Sequence, residues 1–146
     1  MTTENFVRAL KELTLNKNAL LNKGLSEKYV NELLDSFDCV WIRKSAYKDP
    51  LLILIDSYKA SIIRIGNIDF GQKVGETDSY FIIGEVEVDL LVIDKHTGIV
   101  KIVEKEIYTD MWECAANGSK FLTAILEAQR FLLNVVQMII YIRIEK

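Results

Sequence analysis

The chain is poor in the residues that punctuate, cross-link or ligate. Proline occurs once, at Pro50, and no Ser, Gly or Pro tract interrupts the sequence. This excludes a flexible linker and predicts one domain over residues 1–146. Cys39 and Cys114 are too few for a disulfide framework, and each is flanked by apolar residues or alanine. Both read as buried, reduced thiols, which suits the cytoplasm. His96 is the single histidine, and no cysteine lies at ligand spacing from it, so no zinc site is expected. Gly66, Gly71 and Gly75 are too widely spread for either common phosphate-binding fingerprint, and no cofactor is expected. A basic excess is lacking as well: the net charge is −3. Without a basic field to displace counterions from phosphates, nucleic acid is not an expected partner. The most apolar stretch, residues 131–144, is broken by Asn134, Gln137 and Arg143, and predicts no membrane span. Residues 1–5 lack the basic-then-apolar layout of a signal peptide.

What is present is apolar periodicity. Half of the 146 residues are hydrophobic, enough for a sizeable core. Phe6, Val7, Leu10 and Leu13 recur at helical spacing over residues 3–15. Gly24 reads as a helix stop. Ser26 reads as the N-cap of a second helix, with Leu25 and Val30 placed as a hydrophobic staple. Tyr29, Val30, Leu33, Leu34 and Phe37 make the apolar stripe of that helix. From Cys39 the period changes. Residues 39–43, 51–55, 61–65 and 80–83 read as strands, and Asn67, Gly71 and Gly75 mark a looser region between them. Residues 94–98 predict a turn between a strand over 85–93 and its partner over 99–107. Asn117 to Ser119 supply a turn and caps, and residues 121–140 form a long apolar helix. Thr123, Glu127, Arg130, Asn134 and Gln137 make one narrow polar stripe on it. Such a helix is either wedged between elements of one chain or shared with a second copy in a homodimer. Strands do not alternate with helices. The pattern therefore predicts an α+β fold: a single, mostly antiparallel sheet flanked by N-terminal helices and the long apolar C-terminal helix.

The predicted strand over residues 85–93 concentrates charge. An alternating strand would align Glu85, Glu87 and Asp89 on one face, with Val86, Val88 and Leu90 on the other. Three readings follow. The row is a solvated edge; or it attracts a basic protein, with Asp78 nearby and Tyr80, Tyr108 and Trp112 as anchors; or it holds a metal. For the last, Asp89 and Glu104 resemble the Asp and Glu-x-Lys of restriction-endonuclease-like nucleases. The lysine position of that pattern is filled by Glu106, and Lys105 stands one residue off, on the opposite face of a strand. No second wall of carboxylates is evident for glycoside-type chemistry. The expected partner-binding residues are therefore Glu85, Glu87, Asp89, Asp78, Tyr80 and Trp112, with no catalytic or metal-binding set.

Three segments together resemble the SUKH superfamily, which includes yeast glucan-synthesis regulators of the SMI/KNR type. Leu25-Ser26-Glu27-Lys28-Tyr29 is similar to the Leu-Pro-x-x-Tyr that begins the family's second helix, with Ser26 in place of proline. Residues 84–98 resemble its central hairpin. Residues 112–122 are similar to its aromatic, small residues and Ser-x-x-Phe-Leu leading into the last helix. Where the family has Asn-Gly-Gly, this chain has Ser36-Phe37-Asp38. The resemblance implies an α+β binding module without catalytic residues. In bacterial members that role is mostly immunity, the neutralisation of a cognate toxin that is often a nuclease. The alternatives are a regulatory scaffold of the cell-wall type and a metal-dependent nuclease-like hydrolase on Asp89 and Glu104.

Overall fold

The computed structural model describes residues 1–13, 21–22, 24–35, 38–60 and 67–145; of residues 33 and 132–145 it describes the backbone. Among the described residues, helices α1 (Thr3–Glu12), α2 (Glu27–Asp35) and α3 (Pro50–Ser57) precede the sheet. Five strands follow: β1 (Ile68–Glu76), β2 (Tyr80–Val86), β3 (Asp89–Asp94), β4 (Val100–Val103) and β5 (Asp110–Ala115). The last element is α4 (Gly118–Glu145). The strands form one antiparallel sheet in the order β1-β2-β3-β4-β5. The fold is α+β.

Local chemistry starts each helix. Thr2 caps α1 by accepting from the Asn5 amide, and Phe6 and Leu10 are buried on its inner side. Ser26 Oγ accepts from the Tyr29 amide, and Val30 is buried while Leu25 packs against the same core. Tyr29, predicted on the apolar stripe, is exposed. Leu33 and Phe37, also on that stripe, fall outside the described side chains. Asn117 Oδ1 caps α4 by accepting from the Lys120 amide.

Two predicted strands are not strands. Residues 51–55 belong to α3. Asp49 Oδ1 accepts from the Leu51 and Leu52 amides, and Pro50 occupies the first turn, where its missing N–H costs nothing. Leu51, Leu52, Leu54 and Ile55 are all buried, so neither alternation nor a single apolar stripe is visible in sequence. Residues 39–43 are not a strand: among the described residues they form an isolated bridge, Trp41 with Tyr58. Residues 61–65 lie outside the described residues.

The sheet corrects three further readings. The looser region predicted at Asn67 to Gly75 is β1. Its neighbour Gly84 lets the strands close up, because a Cβ there would overlap the Asp69 carbonyl oxygen. The predicted strand over 85–93 is the end of β2, a two-residue turn at Glu87 and Val88, and then β3, with Val86 opposite Asp89. The predicted strand over 99–107 ends at Val103, and β5 follows after a turn. The turn over 94–98 forms as expected: Gly98, at φ +75°, donates to the Asp94 carbonyl.

One face of the sheet carries the helices. Phe70, Ile83, Leu91, Ile93 and Val100 join Phe6, Leu10, Val30, the α3 leucines and Phe121, Leu122, Ile125 and Leu126 of α4 in the main core. On α4 the predicted polar positions Thr123, Glu127 and Arg130 are exposed, and Glu127 pairs with Arg130 at 2.7 Å. The side chains of Asn134 and Gln137 lie outside the described ones. Leu90, Val92 and Val103 turn to the other face and form a smaller cluster with Tyr80 and Ile82. Of the two cysteines, Cys39 is buried, whereas Cys114 is exposed on the edge strand β5, contrary to expectation.

Candidate functional site

The carboxylate row predicted along one strand does not exist. Glu85 is opposite Leu90 and shares the outer face with it, whereas Asp89 is opposite Val86 and turns toward the helical side. The turn between them folds the row in half.

The same turn creates a different grouping. Leu90 is paired with Val103, so the β2–β3 turn and the β4–β5 turn stand at one end of the sheet. Lys105 Nζ of the second reaches Glu85 Oε1 beside the first at 3.2 Å. The start of β1 joins them, where Asn67 Nδ2 donates to Glu87 Oε1 at 3.0 Å. Residues 85–89 and 104–107 together hold Glu85, Glu87, Asp89, Glu104 and Glu106 against Lys105 alone. Two apolar side chains project among them: Val88 is 76% exposed and Ile107 74%.

Both turns hold backbone that L-residues seldom adopt. Glu87 has φ +56° and Tyr108 φ +55°, the two non-glycine residues with positive φ among the described residues. The second turn is tied internally. Glu104 Oε2 accepts from the amides of Glu106 (3.0 Å) and Ile107 (2.7 Å), and the Tyr108 amide donates to the Glu104 carbonyl. The Glu104 carboxylate is therefore engaged in shaping its own loop. Among the described residues, no group of three or more His, Cys, Asp or Glu side chains converges in a way that could hold a metal ion.

The outer face behind this end is closed by a polar network. Lys101, a largely buried lysine, has its ammonium 2.9 Å from Asp110 Oδ2 and 3.6 Å from Asp94 Oδ2. The hydrogen bond to Asp110 raises its pKa and keeps it charged. Tyr80 Oη donates to Asp110 Oδ1 at 3.3 Å, and its ring stacks on Tyr108 at 6.1 Å. Burial, then the Asp110 charge, pushes the Tyr80 hydroxyl up. Asp94 moves the opposite way: the amides of Thr97 and His96, then Lys101, hold its carboxyl below the usual range.

The six residues expected to bind a partner thus separate. Glu85, Glu87 and Asp89 gather at the acidic end. Asp78 lies in the β1–β2 turn at the opposite end, near the Glu76–Lys95 pair at 2.6 Å. Tyr80 is half-buried in the outer-face network, and Trp112 is exposed on β5 opposite Ile102. His96 sits at an exposed hairpin tip. Val88, Ile107 and Lys101 were not marked by sequence. Lone apolar residues in turns carry no periodic signal, and a lysine between valine and isoleucine reads as an ordinary strand position.

Comparison with protein-family models, with curated proteins and with solved structures finds no match to this chain. Among the described residues, no helix is long and apolar enough to cross a membrane.

Proposed function

We propose that this chain is a protein-binding module, of the immunity type implied by its SUKH resemblance, and that it engages a basic toxin domain through the acidic end of the sheet. The observation that carries this reading is the convergence of two turns that bring Glu85, Glu87, Asp89, Glu104 and Glu106 to one end of the sheet, where Val88 and Ile107 are exposed. Carboxylates in such a cluster speed the arrival of a basic partner and fix its orientation. The two apolar side chains supply the dry contact that charge alone does not. Both are held outward by turns whose shape the ladder and the Glu104 carboxylate determine, so little ordering is needed on binding. No bond is made or broken in this role. A cytoplasmic site of action is supported by two unpaired thiols.

The test is co-expression with a basic toxin domain encoded next to this gene, where the locus carries one, followed by co-purification. A stable complex and restored growth are expected. Glu87→Lys with Glu106→Lys should then slow association about tenfold or more at low salt, with a smaller effect at high salt. Failure to form a complex or to restore growth overturns the reading. An association rate untouched by the double variant removes the acidic end from it.

A further inference from the structure

A second recognition site lies on the helical side, where α1, α3 and the extended segment before α3 meet. Glu4, Trp41, Lys44, Ile53 and Tyr58 line a cavity of about 460 Å³ there. That size falls in the range of small-ligand pockets. Its aromatic wall is fixed by backbone. The Ile42 amide donates to the Ser57 carbonyl at 2.7 Å and the Lys59 amide to the Val40 carbonyl at 2.9 Å, flanking the Trp41–Tyr58 bridge. In an antiparallel pair this pattern makes Trp41 and Tyr58 the closely spaced, non-hydrogen-bonded kind, with side chains adjacent on one face. Tyr58 is also the C-cap of α3, where its amide donates to the Leu54 carbonyl.

Within this wall Trp41 is 60% exposed. Glu4, in the first turn of α1, has no hydrogen bond or ion pair with the described residues. Its charge is felt by the neighbouring phenol: burial, then Glu4, pushes the Tyr58 hydroxyl up. Two aromatic rings lining one cavity with a carboxylate suit a cation. The chain builds the same arrangement internally elsewhere, with Lys95 Nζ 5.1 Å from the Phe81 ring centroid and 2.6 Å from Glu76 Oε1.

We infer that Trp41, Tyr58 and Glu4 form a receptor for the side chain of an arginine presented by a partner polypeptide. The planar guanidinium lies along the Trp41 and Tyr58 rings and donates to the Glu4 carboxylate, and Ile53 packs on its methylene stem. Arginine is favoured over lysine because its guanidinium is flat, more weakly hydrated and able to stack. Lys44, exposed at the rim, opposes the incoming charge and sets a modest affinity. This site is independent of the acidic end of the sheet, and its test uses neither that surface nor a toxin.

Replacing Trp112 by Phe leaves Trp41 as the sole tryptophan. Its emission and its indole N–H resonance are followed while the full chain is titrated with the peptide acetyl-Gly-Arg-Gly-amide. A parallel titration uses the same peptide with neutral, isosteric citrulline. The arginine peptide should bind saturably with a dissociation constant of about 1–10 mM, and the citrulline peptide at least about fivefold more weakly. Glu4→Gln, a change at an exposed helix position that leaves the thermal midpoint in place, should remove that preference. Lys44→Ala should tighten binding by about twofold or more. Equal response to both peptides, no saturable response, or a preference that survives Glu4→Gln overturns the assignment.

Discussion

Asp49 and Gly118 touch where two helices begin. The Asp49 carboxylate caps α3 through the Leu51 and Leu52 amides, and a Cβ on residue 118 would overlap its Oδ1. The first turn of α4 thus lies against the cap of α3 with no room for a side chain. Gly118→Ala should displace Asp49, loosen the start of α3 and cost about 1–3 kcal/mol. Urea unfolding at neutral pH measures it. A loss under about 0.5 kcal/mol would show that the cap can move without consequence.

The Glu87 turn offers a second measurement. Its φ of +56° is costly for most L-residues and worst for β-branched ones. Glu87→Val should therefore lower stability by about 1 kcal/mol or more, whereas Glu87→Gly should leave it unchanged or raise it slightly, since among the described residues it loses one exposed bond, to Asn67. Equal effects of the two changes would argue against a strained turn.

How far the sequence reached depends on where the signal for each element lies. α1, α2 and α4 were legible because their caps and apolar spacing agree: Phe6 with Leu10, Ser26 ahead of Val30, Asn117 ahead of Leu122. The turn at Gly98 was legible because glycine marks positive φ. The turn at Glu87 was not, since nothing in Glu-Val-Glu-Val-Asp announces a reversal, and its conformation is imposed by the ladder on either side. α3 was misread because every side of it is apolar, although Asp49-Pro50 was a start signal in plain view. For the candidate site, the row expected along one strand is broken by the turn at Glu87 and Val88. Sequence places Glu85, Glu87 and Asp89 together, while only the register of β3 with β4 brings Glu104 and Glu106 to them.

Asp94 gives a prediction in pH. Its folded pKa is lowered by the Thr97 and His96 amides and then by Lys101. A group held below its unfolded value of 3.8 stabilises the fold above that pH, and the contribution disappears as pH falls through the folded value. Asp94→Asn should cost about 1 kcal/mol at pH 7. The difference from the parent chain should narrow steadily below pH 3.8. A gap that stays constant between pH 7 and pH 3 would mean the charge of Asp94 is not what holds the turn.

The cysteines should differ sharply toward a thiol reagent. Burial, with Asp38 adding, pushes the Cys39 thiol up to about 12, and Cys39 is shielded as well. Cys114 is exposed on β5, and burial raises its thiol too, so its labelling should be slow but measurable. At pH 8 the folded chain should take up one equivalent of an aromatic disulfide reagent and the urea-unfolded chain two. Two equivalents on the folded chain would show that Cys39 is accessible.

The order of the sheet has a bearing on how the chain assembles. Each strand lies beside the next one in sequence, so every rung of the sheet closes a short loop and no segment must thread past another. The helical layer is the reverse: α1 packs on α4, and the two come from opposite ends of the sequence. In a ribosome-borne chain the five strands can zip up as they emerge, while full cover over Phe6 and Leu10 arrives only with the last helix.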